Sequence, residues 1–159
     1  MQRGFVLPLA TLSLMALLLP GCGGPIGPLS GGRLSGDVKP APSDWGFAAN
    51  VEQAQLETNP VKPRSVNVWI AVKDGALFLS SSMILGPKLP TERGWVRDVE
   101  ADENVRLRIE GAVYELRARR VLDDAEVAAV RAALETKYEL DAGDIDPDRE
   151  VWVFQLEAR

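Results

Sequence analysis

Between Ser65 and Ser81 the chain alternates, turns tightly and alternates back. Val66, Val68, Ile70 and Val72 share one face, while Asn67, Trp69 and Ala71 share the other. A period of two is the signature of a strand, since a helix repeats about every 3.6 residues. Asp74-Gly75 follows Lys73 and is the strongest short hairpin signal, and Ala76 to Ser81 runs back from it. This hairpin constrains everything around it to an antiparallel sheet. Gln53 to Thr58 reads as a strand before it. Val105, Leu107 and Ile109 alternate with Arg106, Arg108 and Glu110, and Gly111 turns the chain into a strand from Ala112 to Val121. Glu150 to Glu157 closes the chain, with Trp152, Phe154 and Leu156 alternating against Val151, Val153 and Gln155.

Two helices punctuate these strands. Thr91 is placed to cap one from Glu92 to about Ala101. Asp123-Asp124-Ala125-Glu126 is a capping box, and the helix it opens carries Val127, Val130, Leu134 and Tyr138 at helical spacing. Ser43 or Asp44 caps a short turn through Trp45-Gly46-Phe47. The expected class is mainly β with α (α+β): six antiparallel strands, two flanking helices, and closure into a small barrel that removes exposed edges.

Composition excludes several chemistries. There is no histidine, so a Ser–His–Asp or Cys–His nucleophile cannot be assembled, and the commonest metal and haem ligand is missing. The single cysteine excludes an internal disulfide and a thiolate metal cluster. With 18 Lys and Arg against 23 Asp and Glu, the chain has no global attraction for nucleic acid. Asp141, Asp144, Asp146, Asp148 and Glu150 have the ligand type of a calcium loop, but lack the Gly and later Glu of an EF-hand. They read as an acidic solvated loop, and no metal site is expected.

The first residues carry a targeting pattern. Arg3 precedes an apolar run from Phe5 to Leu19, shorter than the roughly 20 residues that span a bilayer. Leu18-Leu19-Pro20-Gly21-Cys22 resembles the bacterial lipobox, with Pro20 where a small or β-branched residue is usual. The resemblance implies a signal peptide over residues 1–21, cleavage before Cys22 and acylation of that cysteine, which anchors the protein to a membrane; the other reading is an ordinary cleaved signal leaving a free thiol. Gly23 in place of Asp implies the periplasmic face of the outer membrane. Residues 22–42 are rich in Gly, Pro and Ser without hydrophobic periodicity, and read as a flexible tether with a reach of about 25 Å. Residues 43–159 form the folded domain.

The order of elements from Pro63-Arg64-Ser65 through Ile109 resembles the FMN-binding split barrel of pyridoxamine-phosphate-oxidase-like proteins and deazaflavin-dependent nitroreductases. A strand, Asp74-Gly75, a strand ending in Ser80-Ser81-Ser82, a Gly-Pro-Lys loop, Trp95-Val96-Arg97-Asp98 and Ala101-Asp102-Glu103-Asn104 carry the likeness. Asp98 stands where the nitroreductases have Asn, and their Pro is either replaced by Asn104 or absent. The resemblance implies FMN or a related flavin or deazaflavin, a homodimer with the cofactor between subunits, and a cofactor site of Arg64, Ser80, Ser81, Ser82, Lys88, Arg93, Trp95 and Arg97, with Trp69 or Trp95 against the ring. Cations and hydroxyls converging on one spot are what a phosphate needs. The same residues also read as solvated charges balancing Glu92, Asp98 and Glu100, a strand-end turn, and core tryptophans. Arg106, Arg108, Arg117, Arg119 and Arg120 read as exposed strand faces and a turn. Two functions stay open: a membrane-anchored redox or ligand-binding domain, and a non-catalytic binding module that kept the fold without a cofactor.

Overall fold

The computed structural model describes residues 23–159. The expected signal peptide and Cys22 lie outside the described residues. The strands are β1 (Asp37–Lys39), β2 (Ala54–Thr58), β3 (Arg64–Val68), β4 (Ile70–Lys73), β5 (Ala76–Ser80), β6 (Asn104–Ile109), β7 (Ala112–Arg120) and β8 (Val153–Ala158). The helices are α1 (Gly94–Ala101), between β5 and β6, and α2 (Asp124–Lys137), between β7 and β8.

The strands pair in the order β3-β2-β6-β7-β8-β5-β4, all antiparallel along this path. The two ends of that order, β3 and β4, are successive pieces of chain joined at Trp69. The sheet therefore curls back on itself as a split β-barrel. Alternation predicts six strands where eight form among the described residues. The run from Ser65 to Lys73 bends at Trp69 into β3, which pairs with β2, and β4, which pairs with β5. The eighth strand is β1, which lies parallel to Ala112–Tyr114 of β7. It fills the half of that edge which β8, paired only with Leu116–Arg120, leaves open.

The same pairing corrects the expectation of a free tether. From Gly23 to Lys39 the chain is strapped along the barrel. Gly31 exchanges backbone hydrogen bonds with Ser65 at 2.9 Å, Leu34 is buried, and Asn67 donates to the Gly27 carbonyl at 2.9 Å. A Gly/Pro-rich segment without an apolar face of its own orders here because strand side chains supply its partners.

Among the described residues, two apolar clusters hold the fold. Inside the barrel lie Leu56, Ile70, Leu77, Leu79, Leu107 and Phe154 among others, and Trp95, Val96 and Val99 of α1 complete this cluster. Outside it, Val130 and Leu134 of α2 pack on Ala71, Phe78, Met83 and Val153. The Asp123 carboxylate accepts from the Glu126 N–H at 2.8 Å, the cap the sequence predicted for α2. Helix α1 starts at Gly94, later than expected: Pro90–Glu92 form a separate tight turn, and Arg93 is extended before the helix begins.

Candidate ligand pocket in the split of the barrel

At Trp69 the chain leaves one pairing partner for another, and the backbone there needs new ones. The end of α2 supplies them. The Ile70 N–H donates to Tyr138 Oη at 3.0 Å, and the Ile70 carbonyl accepts from Lys137 Nζ at 2.9 Å. Lys137 also donates to the Val51 carbonyl at 2.6 Å, and Tyr138 Oη donates to that of Glu52 at 2.6 Å. The Tyr138 ring stacks on Trp69 with centroids 4.2 Å apart and planes 10° from parallel. Burial raises the Tyr138 phenol above its ordinary range and lowers the Lys137 ammonium below its own.

Beside this bend opens a pocket of about 200 Å³, lined by Gln53, Asn67, Val68, Trp69, Ser80, Ser82, Ile84, Leu85, Arg93 and Trp95. Four of the eight cofactor-site residues expected from sequence meet here: Ser80 at the end of β5, Ser82 two residues on, Arg93 at the threshold of α1, and Trp95 in its first turn. Trp69, the other tryptophan expected against a ring, lines it too. Trp95 packs edge-on against Phe154 at 5.5 Å, which ties the pocket wall to the barrel core.

The other four lie elsewhere. Ser81 is buried, and its hydroxyl accepts from the Trp152 N–H at 2.9 Å. Successive residues of a strand end point to opposite sides, so three serines in a row cannot all face one pocket. Lys88 pairs with Asp148 at 3.2 Å and Asp146 at 3.6 Å. Arg97 donates to the Thr91 carbonyl at 2.9 Å. Arg64 is exposed, with its guanidinium against Gly94.

Arg93 is the one charged lining residue. It donates to the Leu85 carbonyl. Its neighbour Arg149 has a side chain only 6% exposed and donates to the Gly86 carbonyl at 2.8 Å. Burial first, and Arg149 second, hold the Arg93 guanidinium below its ordinary value, though it stays a cation. Asp146 lies 3.4 Å from Arg149, and the Arg149 Nε is buried with no partner among the described residues. Arg149 takes the Asp146 carboxylate and repels Arg93, so Arg93 is the cation that an anion in the pocket would meet. Sequence reasoning missed Gln53 and Asn67, since polar residues on alternating strands look like any solvated face. It missed Arg149 because the acidic loop around it dominates the reading. The acids of that loop are themselves spent: Asp144 accepts from the Asp141 N–H, and Asp146 and Asp148 pair with Lys88. No group of three potential metal ligands converges among the described residues.

A wider hollow of about 650 Å³ lies between Ala49–Glu52 and the end of α2. Its lysine is Lys137, already committed to backbone carbonyls, so it gathers little chemistry.

The site is thus a barrel split at a bent strand, with α1 closing one end and a pocket between Trp69 and Trp95 in the split. The family model described as F420H(2)-dependent quinone reductase matches residues 56–157, and the chain belongs to that family. Among solved structures, a conserved hypothetical protein from Mycobacterium tuberculosis shares 16% identity over 76% of this chain and 86% of its own, with a TM-score of 0.54. A second structure, described as a domain-swapped dimer, shares 18% identity over 67% of this chain and 81% of its own, with a TM-score of 0.53. No curated protein matches the chain.

Proposed function

We propose that this protein is a membrane-anchored split-barrel domain that binds a flavin or deazaflavin cofactor and serves as an oxidoreductase. The observation that carries the reading is the meeting of Ser80, Ser82, Arg93, Trp69 and Trp95 on one pocket. Family membership makes the deazaflavin F420 the first cofactor to test.

The residues fit one end of such a cofactor. About 200 Å³ falls below the roughly 300–1,000 Å³ of sites that enclose a drug-sized ligand, so the remainder lies outside the pocket. Arg93 supplies the positive charge for an anionic group. The Ser80 and Ser82 hydroxyls supply donors, although the Ser82 oxygen already accepts from the Leu85 N–H at 2.9 Å. Trp69 and Trp95 supply apolar surface that excludes water from a planar ring. A bound flavin or deazaflavin brings the hydride chemistry itself. Gln53, Asn67, Ser80, Ser82 and Arg93 do not exchange protons near neutral pH, so the protein's part is binding and orientation.

Anchoring through acylated Cys22, at the periplasmic face of the outer membrane, completes the proposal. It is supported by the lipobox-like sequence and by Gly23. A homodimer is proposed on the family resemblance.

Titration of the protein with F420 and with FMN, followed by fluorescence, tests the pocket. Saturable binding is expected, weakened about tenfold or more by Arg93→Ala, a loss of about 1.4 kcal/mol. Lys88→Ala and Arg97→Ala, outside the pocket, are expected to leave it unchanged. No binding by the folded protein overturns the cofactor reading and leaves the non-catalytic module, which the turning away of Lys88 and Arg97 favours.

A further inference from the structure

The strap that replaces the expected tether fixes where a lipid at Cys22 would hold the barrel. Ser65 Oγ donates to the Gly23 carbonyl at 3.4 Å, so the first described residue already touches β3. Gly24 and Pro25 are buried. Then Ile26 and Leu29 pair across a tight turn, with hydrogen bonds of 3.1 and 3.0 Å, and Gly27 at φ +54° shapes its tip. Both apolar side chains point into solvent, Ile26 75% and Leu29 70% exposed. A hydrogen-bonded turn therefore holds two aliphatic side chains outward side by side on one tip.

Resting on the anchor reading, we propose that the Ile26–Leu29 turn is a membrane-contact tip that seats on the lipid surface beside acylated Cys22 and sets the barrel's orientation there. Four residues of extended chain reach at most about 14 Å, so the tip cannot lie far from the lipid-bearing sulfur. Cys22 directly precedes Gly23, so a single residue separates the lipid from the ordered strap. The charge pattern agrees: from Gly23 to Gly36 the strap carries Arg33 and no acid, in a chain where acids outnumber bases. Such a stretch lies against an anionic leaflet without repulsion. The tip is one hydrogen bond from the pocket, since Asn67 lines the pocket and donates to the Gly27 carbonyl at 2.9 Å. The pocket rim at Asn67 therefore stands on the membrane side of the barrel, within reach of apolar compounds dissolved in the lipid.

The test uses the full chain, expressed in bacterial envelopes and reconstituted into phosphatidylethanolamine–phosphatidylglycerol vesicles that carry nitroxide-labelled lipid. Cys22 is the sole cysteine, so a maleimide reports directly on its thiol. In the wild type no labelling is expected. Ile26→Cys and Leu29→Cys, both at exposed positions, then accept an environment-sensitive fluorophore. Blue-shifted emission and quenching by the nitroxide lipid are expected at both. Arg119→Cys, on the β7–β8 side of the ring, is expected to show neither. Labelling of wild-type Cys22 overturns the anchor, and the tip with it. Unquenched fluorophore at positions 26 and 29, with Cys22 blocked, overturns the tip alone. A blue shift without lipid quenching also overturns it, and shows that a second protein surface covers the turn.

Discussion

Trp69 shows how much of this fold turns on one position. It lies at the bend between β3 and β4, lines the pocket, and stacks on Tyr138. Tyr138 in turn takes the Ile70 N–H and reaches the Glu52 carbonyl. Tyr138→Phe keeps the stack and removes both bonds, so it is expected to cost about 1–3 kcal/mol in urea unfolding at pH 8. Its pH dependence has a definite sign. The phenol is raised above its ordinary 10.0, so its contribution is complete below pH 10 and is lost as pH climbs through the folded value. Lys137 is lowered below 10.5, so its contribution grows as pH rises from the folded value toward 10.5 and partly offsets that loss. Unfolding series above pH 10 are expected to fall less steeply for Tyr138→Phe than for the wild type. Equal slopes would show that the phenol does not titrate differently on folding.

At the scale of elements, the strap is held by charge inside the fold. Glu57 is 2% exposed and accepts from the Leu34 N–H at 2.6 Å and from Arg106 at 2.9 Å. Arg106 also donates to the Leu34 carbonyl, and Arg108 to that of Ser35. Glu57→Ala takes from the largely covered Arg106 its nearest carboxylate, leaving only the half-exposed Glu115 at 3.9 Å, and a loss of about 3 kcal/mol is expected. Trypsin cleavage at Arg33 in the still-folded variant checks that the strap has come free; protection equal to wild type would place the hold elsewhere. These interactions explain what sequence reading reached. Strands with their own alternation, such as Val105-Leu107-Ile109, were legible, as were the Asp74-Gly75 turn and the Asp123 cap. Arg106 and Arg108 read as an exposed face because their partners lie 49 to 73 residues away. For the same reason the strap, ordered by those arginines, read as a tether. Half of the candidate site was legible through residue type alone. The rest was not, because neither the direction of Ser81 nor the acidic partners of Lys88 can be read from local sequence.

Taken whole, the described residues form two packed clusters, and the pocket stands where they meet. Trp95 reaches it from the barrel interior, while Trp69 and Ile84 reach it from the cluster beneath α2. The pocket's shape therefore depends on packing that touches no ligand. Phe154 is 1% exposed and holds the edge of Trp95. Trp45 is 4% exposed in the same interior, packed against Tyr114 and tied to the hairpin turn by its bond to Gly75, away from the pocket. Phe154→Ala and Trp45→Ala are each expected to cost about 3–5 kcal/mol, since both empty a large aromatic site. Only the first removes what Trp95 leans on. In folded protein at low temperature, F420 affinity is expected to fall for Phe154→Ala and to hold for Trp45→Ala. If both variants lose affinity in proportion to stability, the pocket senses global stability and the Trp95–Phe154 contact has no separate part in it.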